Sequence, residues 1–228
     1  MNLSLPDEVD LWRVSVSEAA IFRNVFQETL SNDEIEQAQR FRFDPDRERF
    51  LVAHGCLRLL LSGYLGVPAS DITFSRTTHG KPFLQENSPL HFNLSHSGAW
   101  VLFAFSIQGP VGVDVEEVRP VKDSLGIARR FFSSEEFEQV RTAAEGKRDD
   151  CFFRIWTRKE AFVKAIGKGI AVPLKSFSLP VSPGTVLWEG HSWWIQDLPM
   201  PENTLAAVAS QNPLYQPQIR DVLECLEG

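Results

Sequence analysis

The apolar and polar residues of this chain recur with two different periods, and the longest regular stretch has the period of a helix. Between Cys151 and Ile170 the apolar side chains are spaced three and four residues apart, which is typical of a helix with one buried face. These apolar residues are Phe152, Ile155, Trp156, Phe162, Val163 and Ile166. Gly167 and Gly169 follow, with Pro173 shortly beyond, as is typical of a helix C-terminus. The pattern therefore predicts a helix that ends near residue 167.

Four further helices are predicted from start and stop signals. Two of them begin with the spacing of a capping box, in which a serine and a glutamate three residues later satisfy each other's free backbone N–H groups. The capping boxes are Ser31 with Glu34 and Ser133 with Glu136, and the other two helices span residues 44–66 and 125–132. Pro45 suits the first turn of the helix over residues 44–66, because its missing N–H is not needed there.

The rest of the chain has the alternating pattern of short strands. An opening strand is predicted at residues 9–16, and HFNLSHS and WVLFAFS flank Gly98 as a hairpin. The other predicted strands are ITFS (72–75), SFSL (176–179), TVLW (185–188), SWWIQDL (192–198), TLAAVAS (204–210) and VLECLE (222–227). Because helix followed by short strands occurs in each half, we predict an α+β fold of two similar lobes, residues 1–110 and 111–228, which meet near residues 109–112.

The strand VGVDVEEV at residues 111–118 carries two acids on one face. Its valines point one way, and Gly112, Asp114 and Glu116 point the other. Residues two apart on a strand have Cα atoms about 6.6 Å apart, so the two carboxylates repel each other unless a cation lies between them. With open space expected beside Gly112, oxygen ligands without nearby Cys or His favour Mg²⁺ or Mn²⁺ over zinc. The alternative is a half-exposed strand with a polar outer face.

The long helix carries a second acid with a base one turn further on. Glu160 and Lys164 share a stripe at the border of the apolar face. They indicate either a reactive pair at the wall of a cleft or an ordinary ion pair on a solvated surface. Other polar residues leave the same choice open: Arg49 snorkels or binds an anion, and His96, expected in a turn, is solvated or functional.

Composition and charge exclude several classes of protein. The 228 residues are 43% apolar and 23% charged, as in a globular protein with a substantial core. The net charge of −7 disfavours a general nucleic-acid binder. No apolar run could span a bilayer, the N-terminal residues do not resemble a signal peptide, and three distant cysteines form neither a disulfide framework nor a zinc site. We expect a cytoplasmic protein with no membrane or nucleic-acid partner.

Taken together, several motifs resemble those of the Sfp-type 4′-phosphopantetheinyl transferases. The similarity extends over roughly residues 39–180. The matching motifs, in order, are GKP (80–82), FNLSHSG (92–98), GVDVEEV (112–118), FFSSEEF (131–137) and FFRIWTRKEAFVKAIGKGI (152–170). Members of this family transfer the phosphopantetheine arm of coenzyme A to a serine of an apo acyl or peptidyl carrier protein. The resemblance implies two α+β lobes related by approximate twofold symmetry, with coenzyme A bound between them in a monomer.

The resemblance also implies roles for individual residues. Asp114, Glu116 and Glu160 would ligate one Mg²⁺, and Glu160 would also take the proton of the carrier serine. Lys164 would hold the pyrophosphate and ease the departure of 3′,5′-ADP. The residues expected to contact the phosphates are Lys81, Ser95 and His96, with Arg49 at the 3′-phosphate. Glu136 matches an acidic residue of the family.

The sequence departs from the family pattern at one place. Some members carry two lysines on the helix where this chain has Glu34 and Gln37, so Arg40 or Arg42 is expected to supply charge for the 3′-phosphate instead. Because carrier proteins are usually acidic, the carrier is expected to dock on a local patch of apolar residues and arginines. The predicted patch is Arg130, Phe131 and Phe132.

Two other functions remain open at this point. A Mg²⁺-dependent pyrophosphate hydrolase could use the same three carboxylates with water as nucleophile, although the glutamate-rich helix of a Nudix enzyme is missing from the sequence. A non-catalytic module could bind coenzyme A or carrier proteins without turnover. Such a module would tolerate loss of the metal ligands, whereas an enzyme would not.

Overall fold

The computed structural model describes residues 3–85, 88–214 and 217–226, which form helices, strands and connecting turns. The helices are α1 (Val16–Ala19), α2 (Arg23–Thr29), α3 (Asn32–Gln39), α4 (Asp44–Leu65), α5 (Ser124–Phe131), α6 (Ser134–Thr142), α7 (Arg148–Ile166) and α8 (Val222–Leu226). The strands are β1 (Asp10–Ser15), β2 (Phe74–Arg76), β3 (Pro82–Leu84), β4 (His91–Ser97), β5 (Trp100–Ser106), β6 (Val111–Glu117), β7 (Gly184–Trp188), β8 (His191–Leu198), β9 (Thr204–Ser210) and β10 (Ile219–Asp221). The mixed content of helix and sheet confirms the predicted α+β class.

The first lobe packs α4 against a four-stranded sheet in the order β10-β1-β5-β4. Helix α4 begins with the predicted Asp-Pro pair and ends at Gly66, whose φ of +67° lies in the left-handed region that glycine adopts without strain. Its apolar face meets the sheet in a core that includes Leu57, Leu60, Trp12 and Phe103. The short hairpin β2–β3 lies beside this sheet as a separate ribbon.

The second lobe packs α7 against a sheet in the order β6-β9-β8-β7. Phe162 and Phe177 meet two tryptophans of this sheet, Trp188 and Trp193, edge to face in its core. Helix α7 ends at Gly167, as predicted, with a φ of +69°. Two lobes, each with one long helix on a four-stranded sheet, confirm the predicted two-lobe architecture.

A third core joins the lobes. Leu102 and Ala104 of β5 pack against Val111, Val113 and Val115 of β6. These valines are the predicted buried face of the VGVDVEEV strand, so the opposite face of β6 is left for α7. The seam between the lobes is therefore apolar on one side of β6 and available for polar chemistry on the other.

Two predicted strands were wrong, for reasons that lie outside their own sequence. Residues 174–176 form a short 3₁₀ turn in place of the start of a SFSL strand, and the carbonyls of Leu174 and Phe177 bind the buried Lys159 ammonium at 2.7 and 2.6 Å. The VLECLE stretch, described to residue 226, is helix α8, and its start is set by the Asp221 carboxylate, which accepts the N–H of Leu223 at 3.0 Å. Side-chain partners thus replaced the strand pairing that the alternation predicted.

Both predicted capping boxes are present, at the starts of α3 and α6. In the part of the chain that the structure describes, no helix is long and apolar enough to cross a membrane.

Candidate active site

Helix α7 lies directly against β6 because Gly112 has no side chain. A Cβ at this position would lie 2.1 Å from the Ala161 carbonyl oxygen and 2.4 Å from the Ala165 nitrogen. The expectation that Gly112 leaves open space beside the acids is therefore wrong, since the helix backbone fills that space. The close approach instead brings the side chains of α7 next to those of β6.

Three acids gather where α7 crosses β6. Asp114 is only 4% exposed, and Glu160 and Glu116 are half-buried. Burial raises the pKa of Glu160, and the charges of Asp114 and Glu116 raise it further, against the opposing effect of Lys164. Burial likewise raises the pKa of Asp114 despite its contact with Lys164. The carboxylates are thus close enough to repel one another, as the sequence predicted for the pair on β6.

Lys164 binds the buried strand acid. Its ammonium lies 2.6 Å from Asp114 Oδ1 and donates a second hydrogen bond of 2.8 Å to Ser95 Oγ. The Glu160 carboxylate makes no hydrogen bond or ion pair with the residues that the structure describes. The alternative of a surface ion pair between Glu160 and Lys164 is therefore wrong, because the Lys164 ammonium points to Asp114 and Ser95 and not to Glu160.

The first lobe supplies a ladder of polar side chains from β4. Asn93 Oδ1 accepts the N–H of Val113 at 2.8 Å, Ser95 Oγ donates to Asp114 Oδ1 at 2.8 Å, and Ser97 Oγ donates to Glu116 Oε2 at 2.8 Å. The hydrogen bonds therefore cross the seam at every second residue of β4. The functional residues that sequence reasoning missed are Asn93 and Ser97, although the alternation in HFNLSHS already placed both on the face of Ser95.

The predicted phosphate contacts occupy different positions around these acids. His96 lies in strand β4 and not in the predicted turn, and its ring is exposed. Partial burial and then the charges of Arg49 and Lys164 lower the pKa of His96. Arg49 is tied to the hairpin next to it, where Nε donates to the Gly98 carbonyl at 3.2 Å. Arg49 thus presents positive charge at this hairpin, whereas the lowered pKa favours the neutral form of His96.

Lys81 reaches across from the first lobe to the end of α7. Its ammonium donates to the carbonyls of Lys164, Val111 and Ala165 at 2.7, 3.1 and 3.2 Å. Burial lowers the pKa of Lys81 to about 8. The last carbonyls of a helix lack intrahelical partners and favour a cation, so Lys81 holds the C-terminus of α7 in this structure.

Glu34 has a structural role. Its carboxylate accepts a 2.6 Å hydrogen bond from Nε of Arg58, a side chain that is only 3% exposed, and it also closes the capping box of α3. Gln37 is exposed, and Arg40 is exposed beside Glu36 at 3.5 Å. A lysine at position 34 would leave Arg58 buried against a like charge, which explains why the acid is retained in this chain.

The donor set at the seam suits a hard divalent cation. Asp114 Oδ2 is buried and has no hydrogen-bond partner among the described residues, and a buried unpaired carboxylate oxygen is costly without a cation. The described side chains do not by themselves form a cluster of three ligating His, Cys, Asp or Glu residues, and Lys164 holds the other oxygen of Asp114. The chemistry of the three carboxylates nevertheless matches the oxygen ligands that Mg²⁺ and Mn²⁺ prefer.

Family models and known proteins match most of the chain. A family model described as the 4′-phosphopantetheinyl transferase superfamily matches residues 110–197. A second model, described as the N-terminal part of 4′-phosphopantetheinyl transferase, matches residues 12–108. The 4′-phosphopantetheinyl transferase HetI of Nostoc sp. is 38% identical over 223 residues, which are 95% of this chain and 94% of HetI. The chain belongs to the 4′-phosphopantetheinyl transferase family.

Shorter alignments agree with this family. The 4′-phosphopantetheinyl transferase Sfp of Bacillus subtilis is 38% identical over 68% of this chain and 67% of its own length. The 4′-phosphopantetheinyl transferase gsp of Aneurinibacillus migulanus is 34% identical over 77% of this chain and 68% of its own length. The resemblance inferred from the motifs is thus confirmed, and the protein is a transferase of this family.

Two cavities of this phosphopantetheinyl transferase lie along β6 and α7, the elements that carry the acids. One, of about 330 Å³, lies between the β2–β3 hairpin and the end of α7 and is lined by residues that include Lys81, Phe83 and Ala165. The other, of about 350 Å³, is a groove that starts at Glu116 and runs along Val121 and Trp156. Of these two cavities, the groove reaches one of the acids, Glu116, and the other reaches the C-terminal end of α7.

The structure speaks against one residue of the patch expected from the sequence. Phe132 is 3% exposed and its ring stacks on that of Phe152 with centroids 5.2 Å apart, so it cannot contact a partner protein directly. Phe131 is half-buried edge-on against Trp156, and Arg130 covers its ring at 5.0 Å. The exposed cations closer to the acids are Arg119 and Lys122, which line the groove.

Proposed function

We propose that this transferase moves the 4′-phosphopantetheine arm of coenzyme A to a serine of an apo carrier protein, giving the holo-carrier and 3′,5′-ADP. The observation that carries the proposal is the buried Asp114 carboxylate with one unpaired oxygen, placed between a helical acid, Glu160, and a helical base, Lys164. The family relationship to proteins named 4′-phosphopantetheinyl transferase supports the same reaction.

The residues divide the chemistry of one displacement. The carrier serine oxygen attacks the β-phosphorus, forming a new P–O bond, while the bond from that phosphorus to the bridging oxygen breaks and 3′,5′-ADP leaves with the bridging oxygen. Glu160 accepts the serine proton and so acts as the general base of the displacement. Lys164 turns from Asp114 to the 5′-phosphate of the departing 3′,5′-ADP and stabilises the charge that develops on the bridging oxygen.

Asp114, Glu116 and Glu160 would hold the Mg²⁺ or Mn²⁺ ion. When bound, such an ion neutralises the charge that develops on the pyrophosphate oxygens. Lys164 is the matching cation supplied by the protein itself. In this structure its contact with Asp114 keeps one oxygen of that carboxylate paired.

Coenzyme A and the carrier would approach from the two sides of the acids. The cavity beside Lys81 would take part of coenzyme A, with Arg49, Ser95 and His96 as donors to its phosphates. The groove at Glu116 would receive the carrier, because its apolar floor and its Arg119 and Lys122 suit an acidic partner. The serine would then enter next to Glu160.

We further propose that the protein acts as a monomer in the cytoplasm. Both lobes that flank the acids belong to one chain, so a second copy is not needed to complete the site. Cys56, Cys151 and Cys225 are free thiols, as suits a reducing compartment.

The test is a mass measurement on carriers. The purified chain is incubated with Mg²⁺, coenzyme A and a panel of apo carriers from fatty-acid, polyketide and peptide synthesis, and each carrier is weighed. We expect one or more carriers to gain the phosphopantetheine mass, and Asp114→Asn to lose this activity by at least about 100-fold. Release of 3′,5′-ADP without carrier would favour the hydrolase, and coenzyme A binding without any product would favour the binding module.

A further inference from the structure

The structure assigns Ser97 as a positioning residue that orients Glu116, so that one oxygen of this carboxylate faces the divalent cation. This inference rests on the proposed function, because it concerns a proposed ligand of the metal. It goes beyond that function, because Ser97 touches neither metal nor substrate and acts through Glu116.

The hydroxyl of Ser97 has a fixed direction. Its oxygen accepts the N–H of Glu117 at 3.2 Å, and its single proton is donated to Glu116 Oε2 at 2.8 Å. A serine hydroxyl has one proton, which is thereby committed to Glu116. The two hydrogen bonds lie across the seam between β4 and β6, so Ser97 fixes the carboxylate relative to the backbone of its own strand.

The contact divides the two oxygens of Glu116. Oε2 is held by Ser97 and is also 3.7 Å from Nη1 of Arg119, whereas Oε1 makes no hydrogen bond to a residue that the structure describes. Asp114 is divided in the same way, since Oδ1 accepts from Ser95 and Lys164 and Oδ2 is buried and unpaired among the described residues. Each of the two acids on β6 therefore has one oxygen that accepts a hydrogen bond from a serine of β4 and one that has no hydrogen bond to a described residue.

Each of the two carboxylates thus has one oxygen available to a metal ion, while the other is held in place by neighbouring residues. Hydrogen bonds from outside the ligand set hold ligating carboxylates in one orientation, and their loss typically weakens metal binding 10- to 100-fold. Without Ser97, Glu116 would be free to rotate and to pair more closely with Arg119. The geometry of the hairpin supports the contact: Gly98, with a φ of +53°, brings the chain so close that a Cβ there would lie 2.7 Å from Glu117 Oε2.

The test measures metal affinity without turnover. Mn²⁺ is titrated into the full chain with saturating coenzyme A and no carrier, and free Mn²⁺ is followed by electron paramagnetic resonance. We expect Ser97→Ala to weaken Mn²⁺ binding about 10-fold and Ser97→Thr, which keeps the hydroxyl, to stay within about twofold of the original protein. The matched control is Ser106→Ala, a buried serine of β5 whose Oγ accepts the N–H of Gln108.

A double variant shows whether Ser97 acts through Glu116. If it does, Ser97→Ala adds no further loss to Glu116→Gln, because the oriented carboxylate is already gone. Equal Mn²⁺ affinities of Ser97→Ala and Ser106→Ala, additive losses in the double variant, or a folded Ser97→Thr that binds as weakly as Ser97→Ala would each overturn the assignment. Failure of the original protein to bind Mn²⁺ with coenzyme A or to modify any carrier would overturn the proposed function itself.

Discussion

Glu160 is held in an environment that favours its protonated form. It is half-buried, its neighbours Asp114 and Glu116 are acids, and the described residues give its carboxylate no hydrogen-bond donor. Its pKa is therefore raised, first by burial and then by these charges. In the metal-free protein the ionised Glu160 carboxylate lowers the free energy of unfolding. The same surroundings suit a carboxylate that accepts a proton and also binds a cation.

The first prediction concerns the stability of Glu160→Gln. A carboxyl whose native pKa is raised contributes stability that is present below the ordinary glutamate value and is lost as the pH rises through the native value. At neutral pH without metal, Glu160→Gln should therefore melt higher than the original protein, by about 2–4 °C if the ionised group costs about 1 kcal/mol. The difference should vanish at acid pH, as measured by thermal scans at several pH values.

Added Mg²⁺ with coenzyme A provides the opposite result in the same assay. The ligands should raise the Tm of the original protein and of the exposed control Glu145→Gln, but much less that of Glu160→Gln. A Glu160→Gln protein that is less stable than the original at neutral pH would show that the carboxylate is favourably placed without a cation.

At the residue scale, the sequence predicted which charged residues would lie near one another but not which of them would pair. Asp114, Glu116, Glu160 and Lys164 were expected to gather, and the strand and helix periods place them on facing surfaces. The pairing of Lys164 with Asp114 could not be predicted, because it depends on how closely α7 approaches β6. That distance is set by backbone contacts, which leave no pattern in the spacing of apolar residues.

At the scale of elements, α7 is located by backbone contact on one side and by a buried ion pair on the other. Gly112 brings α7 against β6, and the Lys159 ammonium, fully buried, lies 2.7 Å from Oε2 of Glu136 on α6. The sequence showed Glu136 as half of a capping box and as a match to an acidic residue of the family, but gave no partner for it. The ion pair could not be predicted, because Lys159 stands between Arg158 and Glu160 in the sequence, and such a run of charged residues is typical of an exposed helix face.

Substitution of Gly112 by alanine should separate α7 from β6. The added methyl group would meet backbone atoms that cannot turn away, and overpacking of this kind costs about 1–3 kcal/mol. We expect Gly112→Ala to lose that much unfolding free energy in urea and to lose transferase turnover, because Glu160 moves away from Asp114. Gly146→Asn is the control, since Gly146 has a φ of +77°, which asparagine tolerates, and open space around it. An unfolding free energy in urea and a turnover like those of the control would disprove a steric role for Gly112.

The buried ion pair should show strong coupling in a double-mutant cycle. Glu136→Gln leaves Lys159 charged and unpaired in the core, and Lys159→Met leaves Glu136 in the same condition, so each should cost about 3–5 kcal/mol. The double variant should cost less than the sum by about 1–3 kcal/mol. The exposed pair Glu138–Arg141, also on α6 and 2.6 Å apart, is the matched cycle, and its coupling should be much smaller because solvent screens the two charges. Equal coupling in the two cycles would rule out a special role for the buried pair.

At the scale of the whole molecule, the two lobes are joined more extensively than the sequence indicated. Two α+β halves were predicted from the repeated order of elements, and the shared core of β5 and β6 lies where they were expected to meet. The C-terminal end was not foreseen: β10 pairs in parallel with β1, and α8 packs into the core of the first lobe. Parallel pairing of segments so distant in sequence has no local signature, so this return of the chain could be found only in the structure.

Because β10 and α8 follow the second lobe in sequence but pack in the first, we predict that the two lobes unfold as one cooperative unit. Val222 of α8 is fully buried in the first core, and Val222→Ala should lower the free energy of unfolding by about 1–3 kcal/mol through lost burial and a small cavity. Urea unfolding should remain a single transition, coincident by tryptophan fluorescence and far-ultraviolet circular dichroism. Hydrogen exchange should then accelerate equally in β5 of the first lobe and β9 of the second. The control Val181→Ala, at a residue 65% exposed in the second lobe, should change neither quantity. Faster exchange confined to β5 would mean that the first lobe opens independently, and the shared core would then be too weak to couple the lobes.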